Sequence, residues 1–557
     1  MLHRAVERGI SAVLTLQLAL FVTPVLPCDI RRLEHGISWN VQSPSRMMSA
    51  YADATTPYRR IRVADLSDTD LAYPLIAAYL QRPSLAESVQ EFAVQLTSDP
   101  YLRGLADLHN PGADRPPLLV SDTDHAAILS HVGALGLPLE TTQRMKAALD
   151  WWRETAKARP SKPWQDPLDC LLGRRSSGAE DEQDKRLYDD FASTAAALIL
   201  SLCPNIATFH LGDVYNELLV EYLLRSNYGL TPLPALQNLQ HVEHYTDDSA
   251  SMYDMYDGVE LLGHFRYFHR LPRVRSVSME GVMDYQVDRE TFPPKTSKGI
   301  RKLHFGHSDI SDEMLATLVR IPTALEELSV SLGGLFHPDS GSAMADPGLL
   351  GRALEQHKDT LQVLDLDFGD TLSGWMYQAS RESRSYSEPD DDDEYYDDVE
   401  EDEYSALDEA DSDGPLRPTD VKKPQDHDGT ILVVRGYSAL KKLSVNVEVI
   451  VGPTKQEFID KDTPIQIKLA RQPPFRLIDA LPQSLEYLCL YGYEKGAVPD
   501  LDEHVAELMA KKDERLPKLR EIRGVDAVER VVEIEGAWGG DAVQWERPDQ
   551  DLSWLEA

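Results

Sequence analysis

Two histidine pairs are the first candidates for chemistry in this chain: His241-Val242-Glu243-His244 and His304-Phe305-Gly306-His307, each with its histidines three apart. Histidine pairs that hold a metal on a helix usually sit four apart and need a further ligand elsewhere. In the second pair Phe305 moreover occupies an apolar strand position, so both of its histidines read as bordering a strand. His304 and His307 with the nearby Asp309 are the one trio that a catalytic site lacking a local motif would draw on. The four cysteines, Cys28, Cys170, Cys203 and Cys489, lie far apart, without zinc spacing or the density of a disulfide scaffold, and read as reduced thiols. No Gly-x-Ser-x-Gly, Gly-x-Gly-x-x-Gly or Gly-x-x-x-x-Gly-Lys-Ser/Thr string occurs. No residue is therefore assigned a catalytic, cofactor-binding or metal role, no cofactor is expected, and the chain is read as a non-enzyme.

Phe305 belongs to a pattern that runs through the chain. The hexad Leu-x-x-Leu-x-Leu, with Val, Ile, Phe or Met also allowed, is found at Val89/Phe92/Val94, Ile206/Phe209/Leu211, Val274/Val277/Met279, Ile300/Leu303/Phe305, Leu325/Leu328/Val330, Leu361/Leu364/Leu366, Leu440/Leu443/Val445 and Leu485/Leu488/Leu490. A weaker copy is read at Leu236/Leu239/Val242 and a partial one over Leu516–Ile522. The last two positions are two apart, so a strand turns both to one face, while the first turns in from the preceding loop. One hexad cannot bury that face; stacked copies cover one another. The expected fold is an α/β leucine-rich-repeat solenoid, a horseshoe with its strands on the concave side. It is irregular: successive first positions are 25 residues apart from 300 to 325 but 36 from 325 to 361 and 79 from 361 to 440. Nor is there an asparagine ladder, since the position three after each hexad holds Thr97, Val214, Val282, Ser308, Gly333, Gly369, Glu448 or Tyr493.

Helices are expected between the strands: Leu71–Leu80, His125–Leu135, Thr141–Ala156 with Met145, Leu149 and Trp152 facing inward, Leu187–Leu200, Val214–Leu224 and His504–Lys511. Ser311 is the clearest cap, ahead of the acidic first turn Asp312-Glu313. The organisation that follows is an N-terminal segment 1–55, a repeat array 56–530 with a loop at 158–185, and a tail or cap 531–557.

The formal charge of −37 is partly local, because 16 of the 26 residues from Glu388 to Asp413 are acidic and none is basic. An insertion over 380–430 is expected to be disordered and solvated, or else to attract a basic partner; Ser387 and Ser412 beside it are candidate phosphorylation sites. So acidic a surface repels nucleic acid and anionic membranes. The apolar run Ile10–Leu26 behind His3, Arg4 and Arg8 resembles a secretory signal, but Glu7, Pro24 and Pro27 and the lack of a small-x-small cleavage site argue against it, and it is short for a stable membrane span. No asparagine begins an Asn-x-Ser/Thr sequon. A cytoplasmic or nuclear location is expected, with secretion the alternative.

Thr56-Pro57-Tyr58-Arg59-Arg60-Ile61-Arg62-Val63, Tyr79-Leu80-Gln81-Arg82-Pro83-Ser84-Leu85, Leu202-Cys203-Pro204-Asn205-Ile206, Leu481-Pro482-Gln483-Ser484-Leu485 and Leu516-Pro517-Lys518-Leu519 together resemble the fungal F-box-associated and leucine-rich-repeat-like proteins. In those proteins an F-box opening Leu-Pro-x-Glu/Asp-Ile/Leu precedes a strand like Tyr58–Val63, and Leu26-Pro27-Cys28-Asp29-Ile30 matches that opening. Ser38–Thr56 lacks the apolar helices and the Cys-x-x-Trp/Phe element of an adaptor-binding box, so the box is degenerate or absent. The resemblance implies a protein-interaction scaffold that binds a partner on its concave face, as the substrate-recognition part of an SCF-type ubiquitin ligase with a Skp-type adaptor. A secreted repeat protein acting at the cell surface is the alternative.

Overall fold

The computed structural model describes residues 58–63, 66–96, 120–158, 179–245, 256–284, 292–333, 347–368, 434–451 and 476–529. All belong to the larger of the chain's two units, Met47–Ala557. The apolar run Ile10–Leu26, the Leu26–Ile30 opening, the acidic window and the tail tryptophans Trp538, Trp545 and Trp554 lie outside the described residues.

Alternation of apolar and polar residues generates β1 (Arg60–Val63), β2 (Glu91–Leu96), β3 (Thr208–Val214), β4 (His241–His244), β5 (Asp257–Val259), β6 (Ser276–Glu280), β7 (Val282–Asp284), β8 (Lys302–Ser308), β9 (Glu327–Leu332), β10 (Val363–Asp367), β11 (Lys442–Asn446), β12 (Tyr487–Tyr491) and β13 (Glu521–Arg523). Eleven of them form one open sheet in the order β1-β2-β3-β4-β6-β8-β9-β10-β11-β12-β13, parallel throughout, and β5 and β7 pair separately in parallel. The fold is mixed α/β. All eight hexads form strands of the large sheet, and their last two positions are in mutual register: Phe92 opposes Phe209, Val277 opposes Leu303, Leu303 opposes Leu328, Leu328 opposes Leu364, Leu443 opposes Leu488. These side chains join the inward faces of the helices in a single apolar core, each such burial contributing roughly 1.5–3 kcal/mol.

One backbone step repeats across the sheet. The carbonyl of the residue after the first hexad position accepts two amides from the next repeat. Arg59 O takes Gln90 N and Glu91 N at 2.8 and 3.1 Å, Arg275 O takes Arg301 N and Lys302 N at 2.8 and 3.1 Å, and Lys441 O takes Glu486 N and Tyr487 N at 2.8 and 3.0 Å. A second bond locks several steps from the residue just before the hexad: Ser88 Oγ donates to Tyr58 O (2.8 Å), Thr360 Oγ1 to Leu325 O (2.7 Å) and Ser484 Oγ to Leu440 O (2.7 Å). Gly299 holds the same place in its repeat, where a Cβ would collide with Val274 O. The turn chemistry that sequence reading sought three residues after each hexad is thus found one residue before it.

The same step corrects two sequence readings. Tyr58/Ile61/Val63 is a further hexad, with Ile61 opposite Phe92 and Val63 opposite Val94, hidden because its first position is tyrosine. The copy read at Leu236/Leu239/Val242 lies three residues out of register: Gln240 O accepts Arg275 N and Ser276 N, and Val242 opposes Phe209, so the hexad is Leu239/Val242/His244. Leu236 itself has a left-handed backbone, φ 60°, which ends any strand-like run there.

The connections carry α1 (Leu66–Gln81), α2 (Asp122–Ala134), α3 (Leu139–Ala158), α4 (Ala179–Leu202), α5 (Glu217–Asn227), α6 (Asp312–Arg320), α7 (Pro347–Leu354) and α8 (Pro499–Arg515). Each predicted helix is present with shifted ends: most extend by one to several residues, but α2 stops at Ala134 and α5 begins at Glu217, Val214 belonging to β3; α4 begins at Ala179, inside the 158–185 range read as loop. Met145, Leu149 and Trp152 are buried as expected, and Trp152 stacks on Phe191 of α4 at 4.3 Å between ring centroids. Ser121 and Ser311 cap α2 and α6, accepting from Asp124 N and Met314 N at 3.1 and 3.3 Å. No described helix is long and apolar enough to cross a membrane.

Candidate recognition surface

Because the hexad apolars all turn to the core, the residues between them turn to the opposite face of the large sheet. One cross-strand row there reads Arg62, Ala93, His210, Glu243, Ser278, His304, Ser329, Asp365, Ser444, Cys489 and Arg523 along the strand order, each opposed by its neighbour. The core face is apolar apart from His244 and, past the bulge in β8, Ser308 opposite Leu332, whereas this face mixes charge, hydroxyl and ring.

Its densest part spans β6 to β12. His304 Nε2 meets Glu280 Oε1 at 2.5 Å, and Gly306 provides the room, since a Cβ there would overlap the Glu280 carboxylate. The Glu280 hydrogen bond raises the His304 pKa above the usual histidine value, while burial lowers that of His307. Two strands on, burial raises the Asp365 carboxyl, and it accepts Tyr491 Oη at 2.9 Å. Asn446 Oδ1 accepts Phe368 N at 2.9 Å and its Nδ2 donates to Asp367 at 3.3 Å. Cys489, largely buried between these groups, has its thiol pushed up to about 11 by desolvation, so it is a neutral thiol and not a nucleophile at neutral pH.

Of the candidate trio, His304 and His307 lie on β8, and Asp309 follows its end, bridged to Met283 of β7. His304 and His307 share the Glu280 field, but Asp309 lies with Asp284 at the small sheet, where its carbonyl accepts Asp284 N at 3.4 Å and its charge helps raise the Asp284 carboxyl. His241 and His244 lie on opposite faces of β4: His241 is exposed and bonds Ser276 Oγ at 2.7 Å, while His244 is buried in the core. Among the described residues no group of three or more His, Cys, Asp or Glu side chains is arranged to hold a metal ion.

Sequence reading missed a buried polar group around His244. Its Nε2 meets Asp257 Oδ2 at 3.0 Å, tying the first residue of the small sheet to the ladder. His264 adjoins the pair, and burial lowers its pKa to about 3. The Nδ1 atoms of both histidines are buried with no hydrogen-bond partner among the described residues. The signal was available: a histidine at a third hexad position needs a buried partner, but only the corrected register puts His244 there.

No protein-family model, curated protein or solved structure matches the chain.

Proposed function

We propose that the large sheet is the strand layer of an irregular leucine-rich-repeat solenoid and that the protein is a non-enzymatic scaffold binding a protein partner across the sheet's polar face. The observation that carries this reading is the repeated backbone step: the same pair of hydrogen bonds at every step of the large sheet from β1 to β13 keeps a polar, varied surface continuous over eleven strands. An extended face of this kind suits a protein better than a small molecule, because its polar groups are spread along the ladder and not gathered at one point. The reading as substrate-recognition part of an SCF-type ubiquitin ligase rests on the Leu26–Ile30 opening and the Tyr58–Val63 strand. A cytoplasmic or nuclear location agrees with Cys203 and Cys489 being free, buried thiols.

Two experiments test these layers separately. Affinity capture with the full chain, compared with the Glu327→Lys/Asp365→Lys variant and with a variant of equal charge change on α8, should yield a partner lost only from the polar-face variant. Identical partners on all three baits would sink the binding reading. Gel filtration with a purified Skp-type adaptor should give co-elution; separate elution removes the ligase role and leaves the scaffold.

A further inference from the structure

From Arg270 to Lys302 the chain carries 8 basic and 4 acidic residues, against a net charge of −37 for the whole. The fold gathers part of that excess at the N-terminal edge of β6 and β8. Arg275 O accepts Arg301 N and Lys302 N, and the Gly299 Cα packs directly beneath Val274 O, so Arg273, Arg275, Lys298, Arg301 and Lys302 crowd two adjacent turns. Arg301 and Lys302 are used: Arg301 Nη1 donates to Ala324 O at 2.9 Å, and Lys302 Nζ pairs with Glu327 at 2.6 Å. Arg273, Arg275 and Lys298 are exposed and have no ion pair or side-chain hydrogen bond among the described residues. These three cations face a chain with a large excess of carboxylates, and an external anion would first have to overcome the repulsion of the whole molecule.

We propose that this basic edge is the docking surface for the chain's own acidic segment Glu388–Asp413. Charge complementarity is direct, 16 carboxylates and no cation meeting three unneutralised cations. Reach is ample. Phe368, at the end of β10, precedes Glu388 by 20 residues, which span at most about 70 Å, while β10 and β6 are three strand spacings apart, roughly 14 Å. Tethering raises the local concentration of the segment to the order of millimolar, enough for a weak polyelectrolyte contact that free acidic peptides would not make. The contact is electrostatic, so it fades as salt shortens the Debye length from about 10 Å at 0.1 M to about 3 Å at 1 M.

Zero-length carbodiimide cross-linking of the full chain, mapped by mass spectrometry, tests this. Lys298 should be joined to carboxylates of 388–413 several-fold more often than are Lys442 and Lys512, the preference should vanish at 1 M salt, and Arg273→Gln/Arg275→Gln should cut it several-fold with an unchanged circular dichroism melt. If that variant melts early, the wild-type map and its salt dependence decide alone. Even distribution over exposed lysines, or a preference indifferent to salt, overturns the proposal. Cross-linking that grows with protein concentration assigns the contact to a second copy and equally overturns it.

Discussion

The step from β2 to β3 and the step from β8 to β9 are built alike and connected very differently. First hexad positions are 117 residues apart from Val89 to Ile206 and 25 apart from Ile300 to Leu325. Yet Gln90 O accepts Ala207 N and Thr208 N at 2.7 and 3.1 Å, and Arg301 O accepts Glu326 N and Glu327 N at 2.8 and 3.0 Å. The ladder is therefore specified by what sits inside each hexad and the turn before it, not by connection length. That is physically reasonable, because the entropy of closing a loop grows only logarithmically with its length. The long connection adds helices to the same core, α2, α3 and α4 bringing in Met145, Trp152 and Phe191.

The sharpest way to break the equivalence is to cut the core at each step. Phe209→Ala removes a ring stacked on Phe92 at 6.1 Å between centroids and should cost about 3–5 kcal/mol, with Leu328→Ala costing about 2–5. If the two steps belong to one cooperative ladder, urea unfolding followed by circular dichroism should shift as a single transition in both variants. Two separate transitions would show that the long connection divides the sheet.

Trp152→Ala asks whether the connection is energetically part of that ladder. Loss of the stack on Phe191 should cost about 3 kcal/mol. Hydrogen exchange should then rise in α2 to α4 first, with β8 to β10 protected until global unfolding. Equal loosening of both regions would mean the insert and the ladder form one unit.

A smaller effect separates the repeat containing His244 from its neighbours. His264, buried beside it, is held neutral by desolvation until about pH 3, whereas an unfolded histidine protonates near 6.5. Between those values the unfolded state binds the extra proton, so stability falls as pH falls, by up to about 1.4 kcal/mol per pH unit for this group. Stability measured from pH 7 down to 5.5 should show that slope, and His264→Leu should flatten it. An unchanged slope in the variant would place the acid sensitivity elsewhere.

The sequence made legible what depends on local pattern. The eight full hexads all became strands of the large sheet, and Ser311, Met145, Leu149 and Trp152 took their expected places. What escaped depended on partners distant in the chain. Tyr58 serves as a first hexad position because Ser88 bonds its carbonyl. His244 serves as a third position because Asp257 meets its ring. The polar face was implied by alternation, but its pairings, Glu280 with His304 and Asp365 with Tyr491, follow from register across strands up to 126 residues apart, which no local window contains.

The finest comparison is between repeats that lock their turn with a hydroxyl and the one that uses glycine. Ser484 Oγ donates to Leu440 O at 2.7 Å; Ser484→Ala loses that bond and should cost about 0.5–1.5 kcal/mol. Gly299 occupies the same place, but its turn sits so close to Val274 O that no Cβ fits. Gly299→Ser, which installs the residue the other repeat uses, should therefore destabilise by more than Ser484→Ala, since the new Cβ must push two turns apart before its hydroxyl can bond. Chemical denaturation of both variants decides the order. If Gly299→Ser were neutral or stabilising, the two turns would be interchangeable, and the tight approach at Val274 would be a tolerance of the ladder and not a constraint on it.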